Sequence, residues 1–184
     1  MSALKRNLRE LLGYPSAIAG AAIILFLWTS IPTVNIGVAM EKNNFIPLPQ
    51  PDTKGDIPLE KTLALRRSVR NFKDTPLTLT SVSQLIWSAQ GITNMQGHRT
   101  SPSAGALYPL ETYVIAGKVD GLPSGIYQYL PGSHEFKNIK IGEFQNALCK
   151  AALNQSPVRQ APATTLISGV FKRITGKYGN RGIQ

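Results

Sequence analysis

The sequence predicts an α+β fold that follows an apolar N-terminal helix, and three observations support this prediction. Residues 11–40 contain no charged side chain. Apolar residues with helical spacing occupy residues 57–91, whereas short β-rich runs recur after residue 110. Helices that precede a group of strands are typical of α+β domains, in which the helices pack on one side of a sheet.

The N-terminal segment, residues 1–40, combines a basic start with an apolar run. Lys5, Arg6 and Arg9 precede residues 16–31, "SAIAGAAIILFLWTSI", which approach the minimum length of a membrane-spanning helix. No clear cleavage site follows, so we expect an uncleaved signal anchor; a cleavable signal peptide and a buried core helix remain alternatives. Because a basic flank stays in the cytoplasm, the globular part is expected outside it.

Residues 41–56 read as a linker, and the main domain spans residues 57–184. The linker, "EKNNFIPLPQPDTKG" and the next residue, is rich in Pro and Asn. A first helix is expected to open near Pro58, where proline suits the first turn, and to continue through "LEKTLALRRS". This helix would place Arg66 and Arg67 at its C-terminal end.

A second helix and three strands follow. Val82, Leu85, Ile86 and Ala89 have the spacing of one helix face, and Gly91 fits the position after its end. Strands are predicted at residues 113–115, at "GIYQYL" and at "PATTLISGVF". Between the last two, "GEFQNALCKAALN" is helical and contains the single cysteine, which we expect to be a buried, inert thiol.

Charge and composition exclude several classes of function. The chain carries a net charge of +10, and residues 137–184 hold eight Lys or Arg against one acid, which indicates an anionic partner or missing acidic sequence. One cysteine and two scattered histidines, expected at the surface or in loops, exclude a disulfide and a zinc site. Neither a phosphate loop nor a nucleophile elbow is present, and nucleic-acid-binding signatures are absent. A bound cofactor that brings its own reactivity is therefore favoured.

The segment "LRRSVRNF" concentrates fixed positive charge. Arg66, Arg67 and Arg70 surround Ser68. A solvated basic helix end is one interpretation. The other is an anion site, in which guanidinium groups and a hydroxyl converge on a phosphate.

The segment "SPSAGALYPLE", residues 101–111, is the second candidate for cofactor binding. Its small residues Ser103, Ala104 and Gly105 would let the backbone approach a flat ligand closely and donate its N–H groups. The alternative is an ordinary small-residue loop before a strand.

Five segments in this order resemble the nitroreductase-fold family, and most closely its SagB/ThcOx-type dehydrogenases. They are "RRSVRNF", "PLTLTSVSQLIWSAQGIT", "RTSPSAGALYPLETYVI", "GLPSGIYQY" and "APATTLISGVFKRITGKYGNRGI". The similarity runs from about residue 48 to the end of the chain, whereas the predicted anchor and most of the linker lie outside it.

The resemblance implies an FMN-dependent oxidoreductase that forms an intertwined homodimer with flavin at the interface and takes electrons from NAD(P)H or another donor. By match to the family's motifs, the FMN phosphate and ribityl chain would contact Arg66, Arg67, Ser68 and Arg70. The loop that reaches the partner's flavin would be Pro102, Ser103, Ala104, Gly105 and Ala106, and Gln155 would approach the isoalloxazine edge. The flavin itself accepts hydride, so no catalytic residue is implied; Tyr108 and Tyr178 are polar candidates near the motifs.

Members of this family continue well beyond "KYGNRGI", so the resemblance implies that these residues are the N-terminal portion of a longer SagB-type protein. An alternative is a non-catalytic remnant that binds anions or membrane weakly through its charge. A third hypothesis, azoline dehydrogenation on a ribosomal peptide, belongs to the same branch. It would require a cyclodehydratase partner, and the predicted anchor argues against it.

Overall fold

The β-rich runs of the second half of the chain form an antiparallel sheet in the computed structural model, which describes residues 44–182. Its strands are β1 (Phe45–Pro47), β3 (Leu110–Ala116), β5 (Gly125–Leu130), β6 (Glu135–Ile141) and β7 (Ala163–Gly169). Two shorter strands, β2 (Leu77–Thr78) and β4 (Val119–Asp120), pair in parallel. The order in the main sheet is β1-β6-β5-β3-β7, and neighbouring strands are antiparallel. These residues all fall in the second of two units of the chain, Ala39–Gln184.

Five α-helices lie within residues 44–182. They are α1 (Leu59–Leu65), α2 (Leu79–Gln90), α3 (Gln145–Ala151), α4 (Ser156–Gln160) and α5 (Phe171–Tyr178). At the start of α2 the Thr78 hydroxyl accepts a hydrogen bond from the Ser81 N–H at 3.1 Å, which satisfies an otherwise unpaired donor of the first turn. The predictions of α1, α2 and the α+β class are confirmed, although α1 ends before the arginines.

The hydrophobic core lies between α2 and one face of the sheet. Its buried members are Leu48, Val82, Ile86, Val114, Ala116, Val119, Leu122, Tyr127, Tyr129 and Phe136. Alternation along β5 directs Tyr127 and Tyr129 into this core, as expected for a sheet with one buried face. Leu85 of α2 was expected on the buried face, but 63% of it is exposed because it lies about 100° around the helix from buried Ile86. Cys149 is buried, as predicted.

The segment predicted as a linker is partly built into the domain. Ile46 of β1 pairs with Phe136 of β6, and Leu48 is buried and donates its backbone N–H to the His134 carbonyl at 3.1 Å. The prolines of this segment hid the strand, yet proline is tolerated in an edge strand because one side of such a strand has no partner. His134, expected at the surface or in a loop, lies in the turn before β6; it is half-buried, and its ring lies 2.9 Å from the Ser83 hydroxyl.

The predicted signal anchor, residues 1–40, lies outside the described residues. Within residues 44–182 no helix combines the length and the apolar character needed to cross a bilayer.

Candidate functional site

The arginine segment, residues 66–70, follows α1 directly and is exposed to solvent. Arg66 is the C-cap residue of α1, and the guanidinium of Arg67 donates to the carbonyls of Ala64 at 2.9 Å and Arg66 at 2.8 Å. Among residues 44–182 no carboxylate forms an ion pair with Arg66, Arg67 or Arg70. Arg67 therefore caps the helix, as the solvated interpretation expects, while the positive charge of the segment stays available to an anion.

Apolar side chains surround these arginines and are equally exposed. Within residues 57–69, five large apolar side chains are 63% to 67% exposed: Ile57, Leu59, Leu63, Leu65 and Val69. No residue of α1 is buried. An exposed apolar surface of this kind indicates a protein interaction site, because burial of apolar area is the main source of association energy.

The small-residue loop adopts a backbone that few sequences tolerate. Residues 104–106 form a short 3₁₀ turn in which Gly105 has φ +63° and Ala106 has φ +53°, and Tyr108 follows with φ +43°. Positive φ at two residues other than glycine stores strain that the surrounding structure must hold, and such strain concentrates at functional sites.

Hydrogen bonds hold the loop against α2 and α5. The Ser103 hydroxyl accepts from the Tyr108 N–H at 2.9 Å, and Ser101 donates to the Ala89 carbonyl at 2.6 Å. On the other side, the Arg173 guanidinium donates to the Tyr108 carbonyl at 3.2 Å. The strained turn is therefore fixed at both ends, while Ala104, Gly105 and Ala106 remain exposed.

A cavity of about 260 Å³ lies beside this turn, and α5 forms one of its walls. Pro102, Ser103, Ala104 and Ile174 are among its lining residues. The Nζ atom of Lys177 and the hydroxyl of Tyr178 each lie 2.8 Å from the position that a Cβ on Gly105 would take. The absence of a side chain on Gly105 therefore leaves room for an ammonium group and a phenol directly over the turn.

We predict that Gly105→Ala destabilises the domain more than Gly97→Ala does. Both glycines have left-handed backbones, at φ +63° and +80°, so each substitution costs about 1–2 kcal/mol of unfolding free energy. Only at Gly105 would the new methyl group also push aside the ends of the exposed Lys177 and Tyr178 side chains, and because these ends are flexible the added loss is at most about 1 kcal/mol; at Gly97 the methyl group meets no atom within 4 Å. Urea unfolding of both variants measures the difference, and equal losses would contradict the close packing over the turn.

Gln155 lies at the start of α4 and is exposed. Its carbonyl accepts a hydrogen bond from the Cys149 thiol at 3.3 Å, and the two preceding residues, Leu153 and Asn154, have φ +57° and +58°. This second strained turn presents Gln155 to solvent. Gln155 is not among the residues that line the cavity beside the 104–106 turn.

A polar cluster connects β3 with α5 behind the loop. Arg173 lies 2.5 Å from the carboxylate of Glu111, which also accepts hydrogen bonds from Tyr113 at 3.0 Å and Gln128 at 2.9 Å. Burial alone would raise the pKa of Glu111, but the hydrogen bonds from Tyr113 and Arg173 outweigh burial and lower that pKa below its ordinary value of 4.5. Glu111 therefore remains ionised at neutral pH and holds α5 against the sheet.

We predict that Glu111→Gln reduces stability at neutral pH by about 1–2 kcal/mol, because Arg173 loses its charged partner. A lowered carboxyl pKa contributes stability that is present above pH 4.5 and is lost as the pH falls through the folded-state value. Urea unfolding across this range should therefore show a shallower acid dependence for the variant than for the wild type. Glu143→Gln, an exposed carboxylate, is the control; an unchanged slope in Glu111→Gln would refute the assignment.

The residues predicted to bind the FMN phosphate do not line the cavity beside the turn. They are Arg66, Arg67, Ser68 and Arg70. Three residues of this region were not predicted from the sequence: Lys177, Glu111 and Arg173. A helical reading of "FKRITGKY" would have brought Lys177 to notice. Nothing local indicates the pair Glu111–Arg173, whose members are 62 residues apart.

Comparison with known proteins agrees with this architecture. The profile of the Nitroreductase family matches residues 63–183. The chain is 41% identical over 129 residues to MJ1384, a nitroreductase candidate of Methanocaldococcus jannaschii, and this match covers 70% of the chain and 65% of that protein. It is 28% identical to the trifolitoxin operon protein TfxC of Rhizobium leguminosarum bv. trifolii, over 61% of the chain and 36% of TfxC.

The fold is also found in a solved structure. A nitroreductase candidate from Ralstonia eutropha superposes with a TM-score of 0.63 at 27% identity, over 76% of this chain and 62% of that one. The chain thus spans less than two thirds of the length of each of these relatives. Because the family profile matches residues 63–183, more than half of the chain, the chain belongs to the nitroreductase family.

Proposed function

We propose that this chain is an FMN-dependent oxidoreductase that acts as a homodimer, with each flavin held by the arginine segment of one subunit and the strained loop of the other. The observation that carries the proposal is the presence of both features in one member of the nitroreductase family: unneutralised arginines after α1, and an exposed, rigid turn at residues 104–106.

The arginine segment fits the phosphate of FMN. Guanidinium groups bind phosphate through paired, charge-assisted hydrogen bonds, and Ser68 adds a hydroxyl donor. Arg66, Arg67 and Arg70 are exposed and lack carboxylate partners within residues 44–182. An anion placed after α1 would oppose the helix dipole, so the side chains rather than the helix end must supply the attraction.

The 104–106 turn fits the flat ring system. Its small residues expose backbone that a ring can approach closely, and Ser103 fixes the turn through its bond from Tyr108. Bound flavin would supply the hydride-transfer chemistry. Lys177 and Tyr178, which lie over Gly105, would place one charged and one neutral hydrogen-bond donor beside a ligand at the turn.

The exposed apolar surface of residues 57–69 supports the homodimer. Within one subunit, none of Arg66, Arg67 and Arg70 lines the cavity beside the turn. A second copy packed on Leu59, Leu63 and neighbouring residues would bury this apolar surface and could bring its own loop to the arginines. The predicted oligomer thus completes the site that one subunit leaves divided.

Three finer assignments belong to the same proposal. The motifs "RTSPSAGALYPLE" and "KYGNRG" favour the SagB/ThcOx-type branch. NAD(P)H is the electron donor we would test first. The basic and apolar residues 1–40 favour attachment to a membrane, with the domain on the extracytoplasmic side.

Anaerobic reduction of the FMN-loaded chain by NADH tests the proposed activity. We expect loss of the oxidised-flavin absorbance to follow addition of NADH, and its return on exposure to an electron acceptor. A chain that retains FMN but is reduced by dithionite and not by NADH or NADPH would contradict the choice of donor. A chain that retains no FMN would instead favour the non-catalytic alternative.

A further inference from the structure

A polar cavity of about 140 Å³ lies where β3 and β5 separate. The pairing of these strands begins at Tyr113 and Gln128, and the cavity lies beyond that pair, against Thr112 of β3 and Tyr129 of β5. Gln90, Arg99 and Arg173 close its other sides. Since a water molecule occupies about 30 Å³ of liquid, the cavity has room for a group of a few heavy atoms.

The lining residues of this cavity carry one positive charge in excess. Glu111 neutralises one guanidinium, that of Arg173, at 2.5 Å. Arg99 is half-buried, stacks 4.3 Å from the ring centre of Tyr108 and donates to the amide oxygen of Gln90 at 3.3 Å. Within residues 44–182 no carboxylate pairs with Arg99. A half-buried charge of this kind favours a bound counter-ion.

Of the two hydroxyl-bearing residues that line the cavity, Tyr129 and Thr112, the first already has a partner, because its hydroxyl lies 2.9 Å from His134 Nδ1. Thr112 is 2% exposed, and its Oγ1 has no hydrogen-bond partner among the described residues, although buried hydroxyls are nearly always paired. Burial raises the pKa of Tyr129 to about 12, so this phenol stays neutral and adds no negative charge to the cavity. The cavity therefore offers a guanidinium and an unpaired hydroxyl on the same side of the sheet as α2.

We propose that this cavity is a binding site for a small monocarboxylate, held by Arg99 and Thr112. A planar carboxylate matches the paired donors of a guanidinium and leaves an oxygen for the threonine hydroxyl. Its single charge balances the excess of one positive charge, whereas a phosphate dianion would exceed that charge. The site is separate from the arginine segment and does not require flavin.

Acetate binding to the full 184-residue chain tests the proposal. Thermal unfolding is followed while acetate replaces chloride at constant ionic strength and neutral pH, and saturation-transfer NMR with labelled acetate reports direct contact. We expect a saturable rise of the unfolding midpoint in acetate. Arg99→Gln and Thr112→Val should each weaken acetate binding about tenfold or more, because each removes a hydrogen bond to a charged group.

The control is Lys172→Gln, which removes an exposed charge of α5 beside Arg173 and should bind acetate as the wild type does. Thr112→Val should keep its midpoint in chloride, since Oγ1 has no partner to lose, so its loss of acetate binding would not reflect unfolding. An equal response to acetate and chloride would overturn the proposal. So would acetate binding that survives in Arg99→Gln, or tighter binding of phosphate than of acetate.

Discussion

Replacing Arg66 and Arg67 together with alanine should raise the dissociation constant for FMN about a hundredfold or more, because each guanidinium would contribute a charge-assisted hydrogen bond to the phosphate in the proposed site. Both side chains are exposed after the end of α1, and neither is part of the hydrophobic core. The double substitution should therefore remove cofactor affinity while the fold remains intact. Flavin absorbance after equilibrium dialysis measures the constant.

Riboflavin, which lacks the phosphate, separates phosphate binding from ring binding. The wild type should prefer FMN strongly over riboflavin, and the double variant should lose that preference. Lys61→Ala combined with Lys73→Ala removes the same charge from exposed positions flanking the segment and should leave FMN binding unchanged within about threefold. An equal loss in both double variants would attribute the effect to net charge alone.

The second large effect concerns the core. Phe136→Ala lowers the free energy of unfolding by about 3–5 kcal/mol, since it removes a large side chain that is fully buried between the sheet and α2. The ring centre of Phe136 lies 5.7 Å from that of Tyr127 and 6.4 Å from that of Tyr129. Both tyrosine rings would therefore lose their contact with the Phe136 ring and would border the cavity left behind. Its pairing partner Ile46 in β1 would lose its neighbour as well.

Urea unfolding of Phe136→Ala measures this loss against a control on the same strand. Ile139 of β6 is 49% exposed, and Ile139→Ala should cost less than about 1 kcal/mol. A difference of that size between the two positions follows from the full burial of Phe136 and the exposure of Ile139. Similar losses at both positions would mean that the outer face of β6 is also covered in solution.

Helices and strands with unbroken periodicity could be predicted from the sequence, and β6 shows why others could not. The apolar residues of β6 are Phe136, Ile139 and Ile141, and the step of three residues from Phe136 to Ile139 changes the phase of the apolar alternation within the strand. The register explains this change: Ile126 pairs with Lys140 and the next residue, Tyr127, pairs with Asn138, which leaves Ile139 as an extra residue. A bulge of this kind conceals a strand from any search for strict alternation.

The α5 helix was missed for a different reason. Its sequence "FKRITGKY" contains Gly176, which weakens helix propensity, and its lysine invited comparison with a phosphate loop. In the structure the helix is held by long-range contacts, above all the ion pair of Arg173 with Glu111. Local sequence carries no information about a partner 62 residues away, so tertiary contacts had to reveal it.

Some features of the candidate site could likewise be predicted from the sequence, and others could not. The motif residues of the turn could be named from the sequence because they match the family's loop; their small size alone would equally fit an ordinary loop. The positive φ values of Ala106 and Tyr108 could not, since alanine and tyrosine seldom adopt them. The approach of Lys177 and Tyr178 to Gly105 likewise depends on how α5 packs, which only the structure shows.

An equilibrium titration of the purified chain with FMN measures whether it binds the proposed cofactor. We expect saturable binding of one FMN for each subunit, with flavin retained through gel filtration in a fraction of dimeric mass. Failure to retain FMN at any ratio, with the fold intact by circular dichroism, would contradict the proposed function and would leave these residues a family member without its cofactor.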